Sequence, residues 1–106
     1  MSKNIPASAK VVVIGGGVAG CSVAYHLSKF GWKDIVLLER DQLTSGTTWH
    51  AAGLIGQLGA SATITKLRNY SLNLYKQLEQ ETELSTGLKQ NGSLTVATTK
   101  GRLDEL

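Results

Sequence analysis

Apolar residues in this chain form two short unbroken runs and one long spaced pattern, and each predicts a different element. Lys10-Val11-Val12-Val13-Ile14 is β-branched, has no polar residue after its first position, and is followed by glycine. It predicts a strand buried on both faces, as in a parallel sheet. After Gly15-Gly16-Gly17, the residues Val18, Cys21, Val23, Ala24 and Leu27 recur at helical spacing. That spacing predicts a helix from Val18 to Phe30, with Gly31 where a terminating glycine belongs. Ile35-Val36-Leu37-Leu38 reads as a second buried strand, closed by Glu39-Arg40. Strand, helix and strand in about 30 residues make a βαβ unit, whose crossover is right-handed.

Past Asp41 the pattern loosens. Thr44 to Gly59 is rich in Gly, Thr, Ser and Ala, with Trp49 and His50 in its middle. Helical spacing returns from Ser61 to Glu83, with Ile64, Leu67, Leu74, Tyr75 and Leu78 on one face. Glu79, Glu81 and Glu83 crowd its end against the helix dipole, which predicts a frayed last turn. Asn91-Gly92, between Gly87–Lys89 and Ser93–Thr98, predicts a β-hairpin. Lys100 to Leu106 opens a further helix. The fold class expected is therefore α/β: an incomplete Rossmann-like βαβ unit with a C-terminal helix and β-hairpin. A doubly wound sheet takes five or six strands. Residues 1–106 are accordingly expected to be the N-terminal part of a larger domain.

Composition narrows the function classes. The 106 residues leave room for one modest core, burying about two thirds of the unfolded surface. Eleven Lys+Arg against eight Asp+Glu give +3, but the charges are scattered and form no basic stripe. Nucleic-acid binding is therefore not expected. One cysteine excludes a disulfide framework and fits a reducing compartment. No apolar run reaches the ~18 residues a membrane span needs. Met1 to Lys10 has two lysines, no apolar core of a secretory leader, and too little length for an Arg-rich transit peptide. A cytoplasmic protein is the expectation. The twelve glycines, concentrated between residues 15 and 59, point to a backbone built for close approach to a ligand.

Gly15-Gly16-Gly17-Val18-Ala19-Gly20 matches G-x-G-x-x-G, and here it follows a strand and opens a helix. Gly15 permits the tight turn, Gly17 lets backbone approach a pyrophosphate, and Gly20 lets helix and strand pack closely. The phosphates then face the positive helix end and its unpaired N–H groups. Glu39 ends the second strand about 20 residues beyond the loop, where a carboxylate accepts hydrogen bonds from adenosine ribose hydroxyls. It would repel a 2′-phosphate, so NADP is disfavoured. The loop alone does not separate NAD from FAD. Ser45-Gly46-Thr47-Thr48-Trp49-His50-Ala51-Ala52-Gly53-Leu54 favours FAD, whose length calls for a second segment of small residues and hydroxyls after the second strand.

The stretches Val11–Gly20, Leu37–Arg40 and Thr44–Leu54 resemble the N-terminus of the sarcosine and dimethylglycine dehydrogenase family, flavoproteins of the D-amino-acid-oxidase-like superfamily. The resemblance continues through Tyr75–Thr82, Asn91–Leu94 and Arg102–Glu105, so it spans residues 9 to 106, and Thr47–Leu54 is its most diagnostic part. It implies an N-terminal part of an FAD-binding oxidoreductase domain that oxidises N-methylated glycine derivatives, with the electron acceptor unassigned. It implies FAD bound covalently at His50 through the flavin 8α carbon. It further implies contacts to FAD from Val18, Ala19, Glu39, Arg40, Gly46, Thr47, Thr48, Trp49, His50, Ala51, Ala52, Gly53 and Leu54. Tetrahydrofolate, bound elsewhere in a full-length parent, would take the one-carbon unit if water does not. The chain departs from the family at Glu83, at the helix end, where relatives commonly have glycine. Two other readings stand beside this one: another amine oxidoreductase of the superfamily, or a non-catalytic regulatory relative. Retention of His50 argues against the last, because a scaffold has no need of a flavin tether.

Other residues read more simply. Cys21 is expected to pack inward, His26 to be a surface histidine, and Tyr70 and Tyr75 to pack along their helix. Trp49 either covers a flavin or fills space under it.

Overall fold

The computed structural model describes residues 4–106, so the leader reading of the first ten residues falls partly outside it. The chain forms two compact units, one running to Leu54 and the other from Ile55 to Leu106.

The first unit contains strand β1 (Val11–Ile14), helix α1 (Val18–Lys29) and strand β2 (Ile35–Leu38). The strands pair in parallel, with Val11 opposite Ile35 and Ile14 opposite Leu38. Asp34, in the left-handed region at φ 60°, prepares that pairing. Its carboxylate accepts the Lys10 N–H at 3.0 Å and its carbonyl the Val11 N–H at 3.3 Å. Helix α1 ends as the sequence predicts. Gly31 adopts φ 85°, Trp32 N–H donates to the Leu27 carbonyl, and Gly31 N–H donates to that of Ser28. These two bonds are a Schellman closure, in which the left-handed residue costs least when it is glycine.

A Cβ at Gly20 would collide with the Gly15 carbonyl and touch Val13 Cγ1 at 3.4 Å. Helix α1 therefore lies on the β1 face that carries Val13. Side chains alternate along a strand, so Val12 and Ile14 point to the other face, where Ile14 is 85% exposed. The expectation of a strand buried on both faces is thus corrected. One crossover helix covers one face of a two-stranded sheet, and the apolar character of the second face is unspent within these residues.

The second unit contains α2 (Ala62–Thr82) and the short α3 (Lys100–Asp104). Ser61 caps α2 by accepting the Ile64 N–H, and Thr99 caps α3 by accepting that of Arg102. The apolar face read from sequence holds along the C-terminal half of α2, where Leu74, Tyr75 and Leu78 are half-buried, and is lost at the start. Leu72, 3% exposed, is the buried hydrophobic residue among those described, whereas Ile64 and Leu67 are exposed. Hydrogen bonds occupy that first part of the helix. Gly59 N–H donates to Thr65 Oγ1 at 3.1 Å, Gln57 Nε2 to Asn69 Oδ1 at 3.0 Å, and Arg68 to the Leu58 carbonyl. Residues 57–59 are pinned by polar side chains that a purely apolar periodicity ignores.

The last turn of α2 does not fray, because its glutamates have partners. The Glu79 carboxylate accepts the Thr86 hydroxyl and N–H at 2.7 Å each, and the hydroxyl, then the N–H, hold its carboxyl below the usual range. Glu81 accepts from Gln77. Glu83 stands at the C-cap with φ 57°, the left-handed position where a glycine would be at ease.

No hairpin forms at Asn91-Gly92: among the described residues from 84 to 97 there is no strand. The favoured two-residue turn needs φ above zero at both central positions. Gly92 has φ 73°, but Asn91 is not in that region. No described helix is long and apolar enough to cross a membrane.

Candidate functional site

The end of β1, the start of α1 and the residue after β2 meet at Gly16. Gly15 takes φ 103° and its N–H donates to the Leu38 carbonyl at 2.8 Å, so the loop leaves the sheet with its last rung paired. Gly16 N–H donates to Glu39 Oε2 at 2.7 Å. Its carbonyl accepts the Thr44 N–H at 2.9 Å and the Cys21 thiol at 3.5 Å. A Cβ at Gly16 would run into Leu43 and Glu39 side-chain atoms. The variable position of the G-x-G motif is therefore the most heavily bonded residue of the loop. Sequence reasoning passed over it, together with Leu43 and Thr44; three consecutive glycines where the motif needs two is the signal that could have found it.

Glu39 sits beside the loop, as the motif spacing requires. Its second oxygen accepts the Asp41 N–H at 3.0 Å. The Gly16 N–H first, and the Asp41 N–H second, hold the carboxyl below its ordinary range. The group is an anion that keeps lone pairs for hydroxyl donors. Arg40, next along the chain, is exposed.

Gly17 is the N-cap residue of α1 and contributes no side-chain cap. The hydroxyl of Thr48 takes that part instead, accepting the Val18 N–H at 2.9 Å. A Cβ on Gly17 would stand 2.9 Å from that same oxygen. First-turn N–H groups have no acceptor inside a helix, and those of Ala19 and Gly20 meet none among the described residues. This is a cradle that a side chain would fill, with N–H groups at a positive helix end and a carboxylate at its flank. It fits a dinucleotide pyrophosphate and its adenosine ribose.

The segment from Thr44 to Leu54 is a run of turns. Thr44 takes φ 67° and Gly53 φ 74°. His50 N–H donates to the Thr47 carbonyl at 3.1 Å, and Ala51 N–H to that of Thr48 at 3.2 Å. The His50 ring has Nδ1 3.0 Å from the Gly46 carbonyl. A carbonyl only accepts, so Nδ1 carries a proton there, and the tautomer this selects has its lone pair at Nε2. Trp49 stacks edge-on against His50 at 6.5 Å between centroids and is 76% exposed. With residues 42–45 it borders an open depression of about 320 Å³. The structure thus brings Gly15, Gly17, Val18, Ala19, Gly20, Glu39 and Thr48 together. Gly46 and Thr47 meet His50 in an adjoining turn, and Trp49, Ala51, Ala52, Gly53 and Leu54 are exposed beside it.

Away from this site, Cys21 packs against the loop through its bond to Gly16. His26 is half-buried rather than on the surface, with Nδ1 2.7 Å from the Ser22 carbonyl.

Residues 10–106 match the family model described as FAD dependent oxidoreductase. Over 102 residues the chain is 51% identical to the mitochondrial pyruvate dehydrogenase phosphatase regulatory subunit of Mus musculus, covering 96% of this chain and 12% of that protein. It is 50% identical to the mitochondrial sarcosine dehydrogenase of Homo sapiens, over 98% of this chain and 11% of the relative. It is also 50% identical to the mitochondrial dimethylglycine dehydrogenase of Homo sapiens, over 92% of this chain and 11% of the relative. The chain therefore spans 11–12% of the length of these three relatives.

Proposed function

Since the chain belongs to the FAD-dependent oxidoreductase family, we propose that it forms the FAD-binding N-terminal part of a longer enzyme that oxidises N-methylated amino acids of the sarcosine or dimethylglycine type. The observation that carries the cofactor reading is the glycine cradle at the start of α1, flanked by the Glu39 carboxylate. The substrate class rests on the two relatives named as sarcosine and dimethylglycine dehydrogenases, each 50% identical over this segment.

In this reading Gly17 keeps a side chain out of the pyrophosphate's space, and Gly15 and Gly20 allow the turn and the close packing behind it. The first-turn N–H groups of Ala19 and Gly20 face its charge, while that of Val18 is held by Thr48. Glu39 accepts the ribose hydroxyls while staying fixed to Gly16. Arg40 and residues 46–54 line the remainder of the cofactor. FAD, when bound, would supply the hydride acceptor for a C–H bond beside the substrate nitrogen, the one-carbon unit going to water or to tetrahydrofolate held elsewhere in a full-length parent.

We further propose that His50 holds the flavin covalently. The Gly46 carbonyl keeps the Nδ1 proton in place, so Nε2 is the nucleophile. Attachment would join His50 Nε2 to the 8α carbon in place of one C–H bond, with that proton released to solvent, its electron pair left to the flavin and dioxygen as the two-electron oxidant that restores it. As positive charge grows on the imidazole, the Gly46 carbonyl accepts a charge-assisted hydrogen bond, which is stronger than the neutral one.

A second reading has its own support: the relative named as a regulatory subunit is 51% identical, so identity over this segment does not separate catalysis from regulation. Anaerobic mixing of the flavin-loaded full chain with sarcosine, then dimethylglycine, separates them. Bleaching of the oxidised-flavin absorbance by either is expected. An oxidised spectrum unchanged by both would favour the regulatory reading.

A further inference from the structure

We infer that Thr48 is a positioning residue for the attachment of flavin to His50, an inference that rests on the covalent reading above. Thr48 and His50 belong to one small body. His50 N–H is bonded to the Thr47 carbonyl, Ala51 N–H to that of Thr48, and the His50 ring to that of Gly46, all within 3.0–3.2 Å. Within that body the imidazole is oriented, but orientation inside a turn does not place it against anything. Placement needs a tie from the turn to the rigid βαβ unit.

Two such ties exist among the described residues. One is backbone to backbone, from Thr44 N–H to the Gly16 carbonyl at 2.9 Å, six residues before His50. The other is the Thr48 hydroxyl, which accepts the Val18 N–H at 2.9 Å only two residues before His50. Gly17 makes room for it, since a Cβ there would stand 2.9 Å from the hydroxyl oxygen. Helix α1 has no cap of its own at Gly17, so the hydroxyl meets a donor that would otherwise be unpaired. The bond thus joins the helix end that faces the pyrophosphate to the turn that carries the nucleophile. Of the two ties, the hydroxyl is the one nearer His50 in the chain and the one that meets the helix end itself.

Formation of the bond from His50 Nε2 to carbon needs close approach and alignment. A misplacement of about 1 Å can cost on the order of a hundredfold in such a step. Holding the cofactor is less demanding: without the Thr48 hydroxyl, Glu39, the glycines and the Ala19 and Gly20 N–H groups keep their places, and only the Val18 N–H loses its acceptor. Loss of the hydroxyl should therefore slow attachment far more than it weakens binding.

The experiment uses the full chain, prepared free of flavin and then mixed with FAD. Acid-precipitable flavin is followed in time at saturating FAD for the natural protein, Thr48→Val and Thr48→Ser. FAD affinity is measured separately in a His50→Ala background, where no attachment occurs, with and without Thr48→Val. Expected are attachment slowed by about tenfold or more in Thr48→Val, a rate restored to within a few-fold by Thr48→Ser, and a change in FAD affinity smaller than the change in rate. Attachment in Thr48→Val at the natural rate would overturn the inference and leave covalent flavin standing. An affinity loss equal to or larger than the rate loss would make Thr48 a binding residue, and would also overturn it. If the natural protein yields no acid-precipitable flavin, the covalent reading itself fails and this inference with it.

Discussion

Glu39 Oε2 accepts the Gly16 N–H at 2.7 Å, joining the residue after β2 to the loop after β1 across 23 positions of sequence. The bond gives the carboxylate a structural task in addition to the ribose recognition expected of it. Gly16 and Asp41 N–H groups hold the Glu39 carboxyl below its ordinary range. A depressed pKa places the associated stability above the unfolded carboxyl's pKa, and it is lost as pH falls through the folded value. In glycine-15N-labelled protein, the Gly16 amide resonance should titrate with a midpoint below that of an ordinary glutamate. A midpoint at or above the ordinary value would contradict the assignment.

The same carboxylate predicts a binding effect. In the His50→Ala background, Glu39→Gln should weaken FAD binding by about tenfold, since it exchanges charge-assisted bonds for neutral ones. Equilibrium titration of flavin fluorescence measures it. Unchanged affinity would remove Glu39 from the cofactor site.

Two glycines of the loop should fail in different ways. A Cβ at Gly20 meets the Gly15 carbonyl, which is backbone and cannot yield cheaply. Gly20→Ala should destabilise the fold by about 1–3 kcal/mol or more, as overpacking does. A Cβ at Gly17 meets only the Thr48 hydroxyl, a side chain that can move. Gly17→Ala should keep most of the stability and lose flavin. Thermal unfolding read beside flavin content separates the two, and equal unfolding penalties would contradict the distinction.

Glu83 occupies a left-handed backbone position without the freedom of glycine. Non-glycine residues pay about 1–2 kcal/mol there, offset in part by the entropy that glycine loses on folding. Glu83→Gly should therefore stabilise the chain by about 0.5–1 kcal/mol, while Glu83→Ala should not. Equal gains from both substitutions, in chemical denaturation, would assign the effect to charge at the helix end instead.

The βαβ unit was legible because local signals agreed. β-branched runs, a Gly31 stop and a glycine loop between them all specify the same element order, and the helix closes at Gly31 as read. Where sequence reading failed, the deciding contact was polar or absent. At the start of α2, Thr65 and Arg68 bond the backbone of Gly59 and Leu58, and Asn69 accepts from the Gln57 side chain, contacts that apolar periodicity cannot register. The Asn91-Gly92 turn lacked the second left-handed residue that a tight hairpin needs. In the site, glycine positions and Glu39 followed from motif spacing. The tie between Thr48 and Val18 did not, because a hydroxyl 30 residues away leaves no periodic trace.

Where the flavin resides after denaturation tests the central claim most directly. The full-length holoprotein is precipitated with acid, digested with trypsin and analysed by mass spectrometry. The account predicts a yellow pellet and a flavin adduct on the peptide from Asp41 to Lys66, with fragmentation placing it on His50 and the bond at Nε2. His50→Ala should release its flavin to the supernatant. Release of all flavin from the natural protein, or an adduct on any other residue, would contradict it.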